Sequence, residues 1–243
     1  MKSFKDSGGD GKVLILLPGF PASLKYWAST QRFLVKLGYR VIPIDLLGLG
    51  AAPKPKDIDY TYEDHIEYVH RMIEEFGIGT KLTLIGHSMG ALLAARYAIN
   101  YPNSVDKIIL LNPPLYIDSS EAYATLRNTG RLYRLMLDSK FRGIAWMFAR
   151  RLSLGLIANH TKISRDRSLE QIIESAELFD DLQRIDVPTL LLIGTKDRPQ
   201  YLRNVSMQTF KDNIQLEIED VSHHSAIFYK ELVRSLILSF LNK

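Results

Sequence analysis

Six short apolar runs, separated by longer stretches with helical spacing, restrict this chain to very few architectures. Val13 to Leu17, Arg40 to Ile44, Leu82 to Ile85, Lys107 to Leu111, Thr189 to Ile193 and Gln215 to Ile218 read as buried strands. Most are almost continuously apolar, as strands covered on both faces must be. Between them, Tyr26 to Leu37, Tyr62 to Phe76 and Met89 to Asn100 carry apolar residues at helical spacing, and Gly38 and Gly77 stand where helices end. A last helix is expected from Lys230 to Leu241. This alternation predicts an α/β fold, a mostly parallel sheet flanked by helices.

The rhythm breaks once. From Pro113 to about Arg184 there is no strand pattern, only helical ones such as Glu121 to Leu137 and Phe141 to Leu152. The stretch 113–185 reads as an inserted helical cap on a core made of 1–112 and 186–243, with the return to the sheet at Asp186-Val187-Pro188. A chain of 243 residues with 46% hydrophobic content suffices for one such domain. The absence of cysteine removes disulfides, thiolate metal sites and a cysteine nucleophile. The longest apolar stretch near the start, Val13 to Leu17, is too short for a membrane span or a signal peptide, so an integral membrane segment is not expected and a cytoplasmic location is. A net charge of +4, with both signs mixed along the chain, gives no reason to expect a nucleic acid partner.

Gly86-His87-Ser88-Met89-Gly90 fits the G-x-S-x-G turn that lifts a nucleophilic serine between a strand and a helix. Two glycines and a serine at this spacing arise by chance in roughly one chain of this length in ten, so the context decides. A strand precedes the motif and a helix with small residues Ala91, Ala94 and Ala95 follows it. A serine hydroxyl needs a base, and the base an orienting acid, in the chain order Ser, acid, His. Asp197 follows the fifth strand, at the carboxyl end where catalytic groups of open α/β sheets gather. His223 and His224 follow the sixth, and either imidazole suits the base. His65 and His70 fall on the polar side of a helix and His160 in the cap, where surface roles are expected; His87 occupies the variable position of the turn. The oxyanion of acyl transfer needs preorganised donors. Met89 supplies one amide and the loop Leu17-Pro18-Gly19-Phe20-Pro21 the other, from Phe20, because Pro18 and Pro21 have no N–H.

Together these residues resemble the α/β-hydrolase superfamily, in particular small serine esterases with a His-Gly-Phe-Pro loop and a Gly-His-Ser-Met-Gly turn. The resemblance covers nearly the whole chain. Asp45-Leu46-Leu47-Gly48-Leu49-Gly50 is similar to the family's structural D-x-x-G-x-G turn, and Pro188 to Asp197 to its acid-bearing strand. Ser222-His223 stands at the family's Gly-His, and counting back from Phe240-Leu241 places His223, not His224, at the catalytic position. Three departures stand out. Pro18 replaces the usual histidine, so proline rigidity must hold the loop. Gly8, Gly9 and Gly11 make the start a poor strand, so the N-terminal antiparallel strands of the family are expected to be missing or trimmed. Leu49 stands where a histidine or aromatic is frequent, an effect on packing only.

The expected activity is therefore acyl hydrolysis of a carboxylic ester through an acyl-enzyme on Ser88, with His223 as base, Asp197 as orienting acid, Phe20 and Met89 as oxyanion donors, and no cofactor or metal. The expected partner is a small-molecule acyl substrate. Alternatives are a thioesterase, a carbon–carbon hydrolase or lyase on an anionic substrate, or a non-catalytic binding protein with the same fold. In the cap, Leu132, Leu135, Met136, Phe141, Trp146, Met147 and Phe148 either line an acyl pocket or pack the cap on the sheet. Arg127, Arg131 and Arg134, at i, i+4 and i+7, are expected to share one helix face, as a solvated surface or a steering stripe for anionic substrates.

Overall fold

The computed structural model describes residues 2–128, 142–153 and 156–243. The six apolar runs form β1 (Val13–Leu17), β2 (Arg40–Pro43), β3 (Leu82–His87), β4 (Val105–Leu111), β5 (Thr189–Gly194) and β6 (Ile214–Glu219). They pair in parallel in the order β2-β1-β3-β4-β5-β6. Because side chains alternate along a strand, each strand feeds two cores. Leu14, Leu16, Ile85, Ile109 and Leu192 pack with Trp27 and with helices α1 (Ala28–Lys36) and α10 (Lys230–Leu241). Ile15, Leu17, Leu84, Ile108 and Leu191 pack on the other face against α2 (Tyr62–Glu75) and α3 (Met89–Asn100). Thr61 and Asp64 cap α2 reciprocally, and Gly38 and Gly77 take φ of +91° and +60° just past α1 and α2.

Burial on both faces fails at β6. It is an edge strand paired only with β5, and Ile218 is 50% exposed. Tyr26 lies in a short 3-10 turn, Leu24–Trp27, that precedes α1 rather than in the helix itself. Residues 3–7 run antiparallel along β2 without forming a strand of their own: Phe4 bridges Ile44, Lys5 and Ser7 donate their amides to Pro43 and Val41, and Ser3 accepts from Asp45.

Between β4 and β5 the described residues hold α4 (Ser119–Asn128), α5 (Arg142–Leu152), α6 (Lys162–Ser168), a wide turn over Leu169–Ile173, and α7 (Leu178–Arg184). No strand occurs among them, only the isolated bridges Ala22 to Ile157 and Leu49 to His160. The expected helix Glu121 to Leu137 is described only as far as Asn128, and Phe141 lies outside the described residues. After β5 come α8 (Pro199–Ser206), and after β6 α9 (Ser225–Phe228), neither anticipated from periodicity. The strand order reverses between β1 and β3, so the loops after those two strands splay apart and open a crevice at the carboxyl ends of the sheet.

Candidate active site

Ser88 occupies that crevice with φ 51° and ψ −121°, a left-handed conformation that costs a non-glycine residue energy and is held here by its surroundings. The two glycines of the turn have direct steric reasons. A Cβ on Gly86 would stand 2.2 Å from the carbonyl oxygen of Gly90, and one on Gly90 2.3 Å from that of Leu17. The Ser88 amide donates to Leu111 of the neighbouring strand at 3.0 Å, which fixes the turn to the sheet.

The acid and histidine loops are laced to each other. Thr195 and Lys196 donate their amides to Glu219 and Val221, and the Lys196 ammonium pairs with Asp220 at 2.7 Å. A Cβ on Gly194 would collide with the Val221 carbonyl at 2.2 Å, so the two loops approach as closely as backbone allows. The result is a continuous chain of contacts. The carboxylate of Asp197, 5% exposed, lies 2.7 Å from His223 Nδ1, and His223 Nε2 lies 3.2 Å from Ser88 Oγ. An acidic partner at Nδ1 fixes the proton there and leaves the Nε2 lone pair for the serine hydroxyl. Of the two adjacent histidines, His223 makes both contacts, while His224 lines the cavity beside it.

Met89 opens α3, so its amide is among the first-turn donors that have no acceptor within the helix. Phe20 lines the same cavity as Ser88, and its neighbour Gly19 presses on the turn so closely that a Cβ there would stand 2.8 Å from Ser88 Cβ. The loop is not held by proline rigidity alone. Gly19 accepts from Ala22 at 2.7 Å, Pro21 from Ala158 and Leu156 from Ser23, each at 2.8 Å. Asp45 anchors the next segment by accepting from Leu24 and Ala51 at 2.7 and 2.9 Å. Gly50, at φ +57°, leaves no space for a side chain beside that carboxylate. Leu49 is fully buried, as a packing role requires.

A cavity of about 390 Å³ opens on Ser88. Trp146 of α5 lines it, but Met147 and Phe148 do not: they are 52% and 56% exposed. A helix can turn only one face inward, and Trp146 holds it. Leu132, Leu135 and Met136 lie outside the described residues, as do Arg131 and Arg134. Arg127 does not present a free charge, since it pairs with Glu174 at 2.8 Å and covers the Tyr123 ring at 3.4 Å. The wall is completed by Tyr116, Leu126, Ile173 and Tyr201, which carry no local motif, and by the cations Lys196 and Arg198.

His65, expected at the surface, is fully buried, bonds Ser168 at 3.2 Å, and is held neutral by burial, its pKa pushed down to about 3. It falls on the helical face of Tyr62, Val69 and Met72, a spacing that signals its burial. His70 bonds the Tyr97 hydroxyl at 3.0 Å and stacks on Tyr101 at 3.8 Å; His160 stands edge-on to Trp146 at 4.8 Å. Among the described residues no helix is long and apolar enough to cross a membrane.

Known proteins resemble this chain at the levels of family, sequence and fold. The model of a family described as alpha/beta hydrolase fold matches residues 12–143, over half the chain. BODYGUARD 1 of Arabidopsis thaliana, named a probable lysophospholipase, is 36% identical over 108 residues, 42% of this chain and 23% of its own. The chain thus spans about a quarter of the length of that relative and of its BODYGUARD homologues 2 and 4. A non-heme haloperoxidase of Rhodococcus erythropolis is 27% identical over 266 residues, 98% of this chain and 95% of that protein. An esterase structure from Exiguobacterium antarcticum superposes with a TM-score of 0.77 at 22% identity, covering 99% of this chain and 95% of that one, a likeness of fold alone.

Proposed function

Since this chain belongs to the alpha/beta-hydrolase fold family, we propose that it is a serine hydrolase that cleaves a carboxylic ester through an acyl-enzyme on Ser88. The observation that carries the reading is the unbroken contact chain from Asp197 through His223 to Ser88 at the floor of a cavity. His223 Nε2 takes the hydroxyl proton as Ser88 Oγ attacks the ester carbonyl. The amides of Phe20 and Met89 receive the oxyanion, and the proton passes to the departing alkoxide. Water then attacks the acyl-enzyme, with His223 again removing and returning a proton, and the acid leaves. Asp197 keeps the tautomer correct and stabilises the imidazolium throughout.

Residues 113–185 serve in this reading as a cap that shapes the acyl site. Phe20, Leu126, Trp146 and Ile173 make an apolar wall suited to a hydrocarbon chain. Relatives named as probable lysophospholipases support ester cleavage. The test is a panel of neutral p-nitrophenyl esters of increasing chain length, assayed with wild type and Ser88→Ala. Turnover that depends on chain length and falls about a millionfold in S88A supports the assignment. A folded wild-type protein inactive on every ester, or activity that survives in S88A, removes it.

A further inference from the structure

Steric necessity explains both glycines of the Gly86-His87-Ser88-Met89-Gly90 turn, but nothing in acyl transfer calls for a histidine at its second position. His87 is nevertheless 2% exposed, and a buried imidazole is costly without partners. Its Nε2 lies 2.8 Å from the backbone carbonyl oxygen of His223. A carbonyl only accepts, so Nε2 carries the proton and donates. Nδ1 then keeps a lone pair, with no hydrogen-bond partner among the described residues. That atom faces the Phe20 loop: a Cβ on Gly19 would stand 2.7 Å from it. The flat of the ring stacks on Tyr26 at 4.6 Å and 18°. Burial, and then the neighbouring His223, hold the pKa of His87 well below the usual histidine range, so the ring stays a neutral donor.

We infer that His87 is a positioning residue: its Nε2–H pins the backbone of His223, so that the His223 ring stays between Asp197 and Ser88. The inference rests on the roles proposed above for those three residues. Its physical content is that two adjacent residues of one turn grip the base at two points. Ser88 meets the His223 ring and His87 meets its carbonyl. His223 sits in the short loop between β6 and α9, and its contact to Ser88, at 3.2 Å, is longer than the 2.7 Å contact to Asp197. A loop free to rotate would lengthen the serine contact, because the strained turn keeps Ser88 fixed. The same ring packs against the oxyanion loop at Gly19, where this chain carries Pro18 in place of the family's histidine. His87 does not line the cavity, so its effect belongs to the chemical step and not to substrate binding.

Three substitutions separate the donor from the ring. His87→Phe keeps a flat surface for Tyr26 and removes the donor. His87→Gln carries an N–H at the same number of bonds from Cβ as the imidazole Nε2, and His87→Asn carries one a bond short. With a neutral p-nitrophenyl ester that the wild type hydrolyses, H87F and H87N should lower kcat about tenfold or more, with KM within about twofold. H87Q should recover at least about a third of the wild-type kcat, because it restores the buried donor. Wild-type kcat in H87F, with S88A inactive in the same assay, overturns the inference and leaves the acyl-enzyme reading intact. Activity in S88A overturns that reading and this inference with it. An H87Q as slow as H87F shows that a donor returned to this position does not restore the step, and also overturns the inference. If H87F does not fold, the Gln and Asn variants carry the test, and equal kcat values in the two refute it.

Discussion

Arg96, on α3, ties that helix to the 113–185 segment. Its Nε lies 3.0 Å from both oxygens of Asp181, its Nη2 lies 2.5 Å from Glu177, and its guanidinium covers the Tyr62 ring at 4.1 Å. The Asp181 side chain is 1% exposed, and without Arg96 its remaining cation is Arg184, 3.8 Å away and 60% exposed. Arg96→Met keeps most of the packing volume but strands a buried carboxylate. Removing one partner of a buried pair costs about 3–5 kcal/mol, and the screened Arg184 puts the expectation near the lower end, about 3 kcal/mol. At about 2–4 °C per kcal/mol for a chain of this size, Tm should fall by roughly 6–12 °C at pH 7. The pH dependence has a definite sign. Burial raises the Asp181 pKa, and the bonds from Arg96 oppose that rise. In the variant the opposition is gone, so the folded state binds a proton more readily than the unfolded state and gains stability as pH falls. The deficit against wild type should therefore be largest at neutral pH and shrink towards pH 4.5. Calorimetry at the two pH values measures it. A deficit under about 1 kcal/mol at pH 7, or one that widens on acidification, refutes the reasoning.

Other substitutions probe the site itself. His223→Ala should abolish ester turnover while His224→Ala keeps it within about tenfold, since only His223 meets both Asp197 and Ser88; steady-state assays that rank them in reverse contradict the assignment. Asp197→Asn should lower kcat about ten-thousandfold with little change in KM, because the amide favours the wrong tautomer; a loss confined to KM would contradict that. Trp146→Ala should shift preference towards longer acyl chains by enlarging the cavity, and an unchanged chain-length profile would place the acyl group elsewhere.

The parts of this molecule that were legible in the sequence are those with local causes. Central strands such as Val13–Leu17 are apolar at every position because both faces are covered, and the turn at Ser88 shows its glycines because no side chain fits there. β6 was misjudged because edge position is a property of strand order. His87 and His65 were hidden for a different reason: their partners, His223 and Ser168, lie 136 and 103 residues away. No local pattern announces such a contact, although His65 does share its helical face with Tyr62 and Val69. Tyr116 and Tyr201 likewise become cavity walls only when the ends of β4 and β5 are brought together.

Covalent trapping of the nucleophile tests the central claim most directly. Incubation with a fluorophosphonate, followed by mass spectrometry of the intact protein and its peptides, reports which oxygen displaces fluoride from phosphorus. The account predicts one phosphonyl adduct, on Ser88, that removes ester activity in proportion to labelling, is absent in S88A and forms far more slowly in His223→Ala. An adduct on another residue, or esterase activity undiminished by full labelling of Ser88, would contradict it.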